Sequence, residues 1–180
     1  MLAAAAALLI GAAALPALPQ AEGFPLERAV KATYLWKFGP FITWPQTALA
    51  GPDSTIHLCV AGEDPFGAVL DEALAGQSIE GHPILLRRLA RVDRQSACHI
   101  LFAAGSPEQS VAEALEAVRG TPVLTFTDAA RAPQAKGIVH FVMRDERVRF
   151  EIDEYAAAEN GLTISSKVLS LAVSVRSRLK

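Results

Sequence analysis

The chain has 180 residues, of which 51% are hydrophobic and 20% charged, and its formal net charge is −2. Such a composition argues against a disordered or fibrous chain and allows one core-bearing domain. The small negative charge gives no surface able to neutralise a run of phosphates, so no nucleic-acid partner is expected.

The first twenty-one residues, "MLAAAAALLIGAAALPALPQA", carry no charged side chain. The apolar run is short of the roughly 20 residues of a bilayer span, and its length and position suit a secretory signal with Ala17 or Ala21 at the cleavage site. A basic leading segment is missing, which leaves an uncleaved anchor as the alternative. Residues 1–21 are therefore expected to direct export and 22–180 to form the folded domain. Two cysteines, Cys59 and Cys98, are present. An even pair in an oxidising compartment favours a disulfide, and this spacing makes a poor zinc site.

In "FPLERAVKATYLWKFGPFITWP" Val30, Tyr34 and Phe38 share a helical stripe that Leu35, Trp36, Phe41 and Ile42 widen, so a core-packing first helix is expected. Pro40 should kink or end it. The concentration of aromatics, including Trp36 and Trp44, also allows a face that docks a partner. Thr55–Ala61 alternates as a strand, with Ile56, Leu58 and Val60 on one face and His57 and Cys59 on the other. Asp64-Pro65 should cap a helix over Gly67–Leu74. "HPILLRRL" and "ACHILFAAG" are the next strands, the latter apolar enough to be buried on both faces. Ser106-Pro107-Glu108 should open a helix running to Arg119, and "TPVLTFTD" is the fourth strand. "GIVHFVMRDERVRFEID" reads as an edge hairpin turning at Arg144–Glu146, with Val148, Phe150 and Ile152 facing one way and Arg147, Arg149 and Glu151 the other. "EYAAAEN" is a short helix with Gly161 after it, and "LTISSKVLSLAVSVRSRLK" a short strand feeding a terminal amphipathic helix. The sum is an α/β three-layer sandwich with a mainly parallel central sheet, an antiparallel edge hairpin and a C-terminal helix.

Motifs for chemistry are sparse. The loop "AGEDPFG" stands where α/β folds hold anions, but it lacks a G-x-G-x-x-G or G-K-[ST] pattern and carries Glu63 and Asp64, so no nucleotide cofactor is expected. His57, Cys59, Cys98 and His99 could bring no more than three ligands together, and structural histidines are the simpler reading. No G-x-S-x-G or S-x-x-K motif supplies a nucleophile, and no carboxylate pair suggests acid-base work, so no enzyme is expected. If the strands bearing Cys59 and Cys98 are neighbours, the two could bridge, either as a staple or as a redox-responsive bond.

The segments "VKATYLWKFGPFITWP", "LCVAGEDPFG", "ACHILFAAG", "VLTFTD", "RVRFEID" and "GLTISSKVLSLA", in that order, resemble the YfiR-like family of secreted bacterial proteins over Leu26 to Val175. The resemblance implies a non-enzymatic periplasmic regulator without cofactor. It would bind the extracytoplasmic domain of an inner-membrane signalling protein, a diguanylate cyclase or a sensor kinase, and so lower cyclic-di-GMP output and biofilm formation. It also implies a homodimer and identifies Cys59 and Cys98 with the family's disulfide pair. The chain departs from the family in lacking a second cysteine pair, so a mechanism that needs two disulfides cannot operate, and in Gly39-Pro40, which interrupts a usually continuous first helix. Trp36, Trp44, Arg147, Arg149 and Glu151 are the candidate partner contacts. The alternative is a small-molecule sensor using the crevice near Gly62–Phe66 at the carboxyl ends of the strands.

Overall fold

The computed structural model describes residues 25–49, 51 and 54–177. The expected export signal over 1–21 lies outside the described residues. The first helix, α1, covers Pro25–Lys37 and gives way to a 3-10 turn, Gly39–Phe41, with Pro40 inside it. Proline has no N–H to continue the helix, so the break falls where its chemistry requires.

After the two-residue strand β1 (Ile42–Thr43) come β2 (Ile56–Gly62), α2 (Ala68–Leu74), β3 (Ser78–Ile79), β4 (His82–Leu89) and β5 (Ile100–Gly105). These are followed by α3 (Val111–Ala117), β6 (Leu124–Asp128), β7 (Val139–Arg144) and β8 (Arg147–Asp153). The chain closes with α4 (Glu154–Glu159), β9 (Thr163–Ile164), α5 (Ser166–Leu169) and β10 (Ser174–Arg176). The eight-stranded sheet runs β10-β8-β7-β6-β5-β2-β4-β3, and β1 pairs separately with β9. Pairing is parallel from β4 through β2, β5 and β6 to β7, antiparallel within β7–β8, and parallel again between β8 and β10.

Strand alternation separates two cores. Ile56, Leu58, Val60, Ile100, Phe102, Leu124 and Phe126 pack on one face with Leu35 of α1, Leu70 of α2, Ala157 of α4 and Val168 of α5. Cys59, Ala61, Leu101 and Ala103 pack on the other with Val111 and Ala114 of α3. Helices thus cover both sides of the central strands, giving the three layers expected.

Four local expectations change. Helix α3 begins after Ser110, whose hydroxyl accepts from the Glu113 N–H while the Glu113 carboxylate accepts from the Ser110 N–H. This reciprocal capping box outcompetes Ser106, whose hydroxyl instead closes a turn by accepting from the Glu108 and Gln109 N–H groups. Asp64 caps a turn at Phe66, with α2 starting at Ala68 beyond Gly67. The hairpin is not the edge, because β10 lies outside it, pairing Val175 with Ile152. The C-terminal helix is the short α5, not a long amphipathic one. The alternating, β-branched "VSVR" after it favours extension, and β8 offers that segment a ladder.

Candidate functional site

Cys59 and Cys98 form a disulfide with Cα atoms 5.9 Å apart, inside the range such bonds require. Cys59 sits in β2 between Arg87 of β4 and Leu101 of β5, whereas Cys98 stands just ahead of β5. Both are buried, so a soluble reductant meets little sulfur surface.

Histidines crowd the same end of the sheet. His57 and His99 lie edge to face with ring centroids 5.7 Å apart. His99 Nδ1 accepts the His57 backbone N–H at 3.0 Å, and its Nε2 meets the Ala48 carbonyl at 3.0 Å. Burial first, and then the nearby His57 and His82, hold the His99 imidazole below its ordinary pKa. Among the described residues no group of three or more His, Cys, Asp or Glu side chains is arranged to hold a metal ion.

At the opposite end of the strands the chain order reverses between β2 and β5, since β2 leads to β4 on one side and β5 to β6 on the other. Gly62 and Gly105 meet at this point with φ of +93° and +76°, and a Cβ on Gly62 would lie 2.4 Å from the Gly105 oxygen. Above them opens a crevice of about 640 Å³ bordered by Ser106, Ser110, Val111, Arg131 and Pro133. Arg131 donates from Nε to the Ala104 carbonyl at 3.3 Å and from a terminal nitrogen to the Glu63 carbonyl at 3.1 Å. The crevice opens at the carboxyl ends of the strands, and its lining joins apolar walls to the Ser106 and Ser110 hydroxyls, Glu63 and Arg131.

The hairpin presents Arg147 and Arg149 on its exposed face with Glu151 half-buried beside them, opposite to Val148, Phe150 and Ile152. Glu151 is committed to an ion pair with Lys136 at 2.6 Å. That bond, with lesser help from His140 and Arg144, holds its carboxyl below the usual range. Arg144 stands directly across from Arg147. Trp36 and Trp44 are both half-buried against the main core. Lys37 approaches the Trp36 ring at 5.7 Å, and the Trp44 Nε1 is buried without a hydrogen-bond partner among the described residues. The tryptophans and the arginines thus occupy different parts of the molecule, since α1 packs on the opposite sheet face from the hairpin's charged side chains.

Sequence reasoning passed over Lys31. Its ammonium is buried and ion-paired with Glu27 one helical turn back and with Asp128 at the end of β6, at 2.5 Å. A lysine on the buried side of a helical stripe was the available signal, and a buried charge needs a partner.

Among the described residues no helix is long and apolar enough to cross a membrane. No curated protein matches the chain. A comparison with protein families matches residues 28–173 to the family described as YfiR/HmsC-like. That span contains the disulfide, the switch-point glycines and the hairpin, and the chain belongs to the YfiR/HmsC-like family.

Proposed function

We propose that this protein is a periplasmic negative regulator that binds the extracytoplasmic domain of an inner-membrane signalling protein, a diguanylate cyclase, and so lowers cyclic-di-GMP signalling and biofilm formation. The observation that carries the reading is membership of the YfiR/HmsC-like family over residues 28–173. Regulation by contact, without catalysis, is the corresponding mode of action, and a homodimer is its working form. Arg147 and Arg149 are the preferred partner contacts, joined by Arg144, because no side-chain hydrogen bond or ion pair engages these three guanidinium groups among the described residues. Holding Arg144 opposite Arg147 costs stability, and an acidic partner surface would offset it. Glu151 belongs to the same face through its bond to Lys136, while Trp36 and Trp44 contribute through core packing and offer only their uncovered edges.

The test is a pull-down from solubilised membranes with the mature protein, with and without reductant, beside Arg147→Glu/Arg149→Glu. Recovery of a membrane cyclase or kinase by the parent chain and its loss in the variant is expected. Failure to recover either partner under both redox conditions would overturn the reading.

A second reading, a small-molecule sensor working with a membrane kinase or transporter, is favoured by the crevice at the β2–β5 reversal, the usual ligand position in open α/β sheets. A ligand at a hundred times its dissociation constant adds about 2.7 kcal/mol, so a thermal-shift screen against periplasmic metabolites and nucleotides separates the two.

A further inference from the structure

We propose that the outer edge of β4 is where a second copy of this chain docks, strand against strand about a two-fold axis through Leu86. This docking rests on the homodimer of the proposed function and gives it a surface.

The His57 backbone N–H and C=O are both spent on His99, on the β5 side of β2. Alternation along β2 then turns the backbone groups of Ile56, Leu58 and Val60 toward β4, where their register mates are Ile84, Leu86 and Arg88. In a parallel ladder a strand bonds through the residues on either side of the register mate, so Leu85, Arg87 and Leu89 face β2 while Ile84, Leu86 and Arg88 face outward. The turn between β3 and β4 agrees. Glu80 and Gly81 have φ of +50° and +89°, as in a two-residue hairpin whose flanking pair, here Ile79 and His82, exchange both hydrogen bonds. That directs His82, and every second residue after it, away from β2. The short β3 then ends, having paired only Ser78 with Pro83 and Ile79 with His82. Beyond it the outward N–H and C=O groups of Ile84, Leu86 and Arg88 meet no strand among the described residues.

Natural sheet edges are commonly guarded by charge. Here both arginine heads are drawn back into their own subunit. Arg88 donates to Asp64 at 2.7 Å, to Asp71 at 2.6 Å and to the Gly67 carbonyl at 3.0 Å, and Arg87 donates to the Ser96 carbonyl. Leu85, between them and the turn, is 51% exposed.

The edge is complementary to itself in one register. An antiparallel pair centred on Leu86 sets Leu86 against its own copy and Ile84 against Arg88, so every outward group of these three residues finds a partner. On the other face Leu85 covers the stem of the partner's Arg87, whose head is already turned to Ser96. Shifting the axis to Arg87 would oppose two arginines directly, which is unfavourable. Shifting it to Leu85 would set Arg88 against His82, whose outer side β3 already occupies. A strand from an unrelated protein has no such fixed register, and this favours a second copy. The seam is small beside the roughly 1,200–2,000 Å² of a standard interface, so the dimer should be concentration-dependent.

The test follows the mature protein by sedimentation and by amide exchange from about 5 to about 500 μM, a range suited to an interface of this size. A dimer is expected at the upper end, where the Ile84, Leu86 and Arg88 amides should slow at least about tenfold while those of Leu85 and Arg87, already bonded to β2, stay unchanged. Leu85→Lys, which faces the partner's Arg87, should weaken the dimer about tenfold more than Leu85→Glu at the same exposed position. A chain that is monomeric throughout overturns this docking together with the homodimer of the proposed function. A dimer whose Ile84, Leu86 and Arg88 amides exchange as fast as in the monomer overturns this surface alone, as does an equal effect of the two substitutions. The amide signals of the parent chain decide the matter even where a variant fails to fold.

Discussion

Lys31 on α1 meets Asp128 at the end of β6 with Nζ and Oδ2 2.5 Å apart, across 97 positions of chain. Both side chains are almost wholly buried, and Glu27 completes the cluster. Removing one member of a buried charge set strands the others, which costs about 3–5 kcal/mol. Lys31→Met should destabilise the protein by about 3 kcal/mol in urea unfolding, and Lys31→Met/Asp128→Asn should cost less than the two single changes added together.

The Cys59–Cys98 bond closes a loop of 39 positions. Loop-closure entropy then stabilises the fold by about 4 kcal/mol. Cys59→Ala/Cys98→Ala should shift the urea midpoint down accordingly, and reductant should move the parent chain toward the variant while leaving the variant itself unchanged.

Gly62→Ala combines a left-handed backbone with a collision against the Gly105 carbonyl. Neither partner is a flexible side-chain tip, so backbone must move, and a loss of about 3 kcal/mol or more is expected. Gly76 has a similar φ of +70° but open space around it. Gly76→Ala should therefore cost only about 1 kcal/mol, and the difference in melting temperature between the two variants checks the steric part.

Both His99 and His140 have pKa values held below the ordinary 6.5, His99 by burial and its histidine neighbours, His140 by burial and then by Lys136. A depressed histidine means that the unfolded chain binds protons before the folded one does. Stability should thus be level above about pH 6.5 and fall below it, by at most about 1.4 kcal/mol per pH unit for each group. Urea midpoints at pH 7.5, 6.5 and 5.5 measure the slope, and His140→Asn should reduce it.

The β-strands and the disulfide were legible because their signals are local or nearly so: period-two alternation in "TIHLCVAG" and "RVRFEID", and a single possible cysteine pairing. The start of α3 is not legible locally because two serines compete, and only the reciprocal bond to Glu113 decides for Ser110. The C-terminal segment looks helical in sequence because nothing in its own composition reveals the ladder that β8 offers to Val175. The Lys31–Asp128 pair and the Gly62–Gly105 contact depend on three-dimensional closure, which no local pattern carries. The charged hairpin face proposed above as a contact surface is legible in part. Alternation placed Arg147 and Arg149 outside, but the commitment of Glu151 to Lys136 needed the structure.

The tight turn between β7 and β8 sets a time order on assembly. Asp145 and Glu146 both adopt left-handed conformations, with φ of +49° and +58°, which matches the twist of a two-residue connection. Its strands need no crossover to find one another, so this ribbon can zip up within about 1–10 μs, whereas the β2–β5 ladder must await closure of a much longer stretch of chain. The carboxyl-terminal ribbon is thus the element best placed to serve as the early template, with β10 adding to it only after β8 has been laid down.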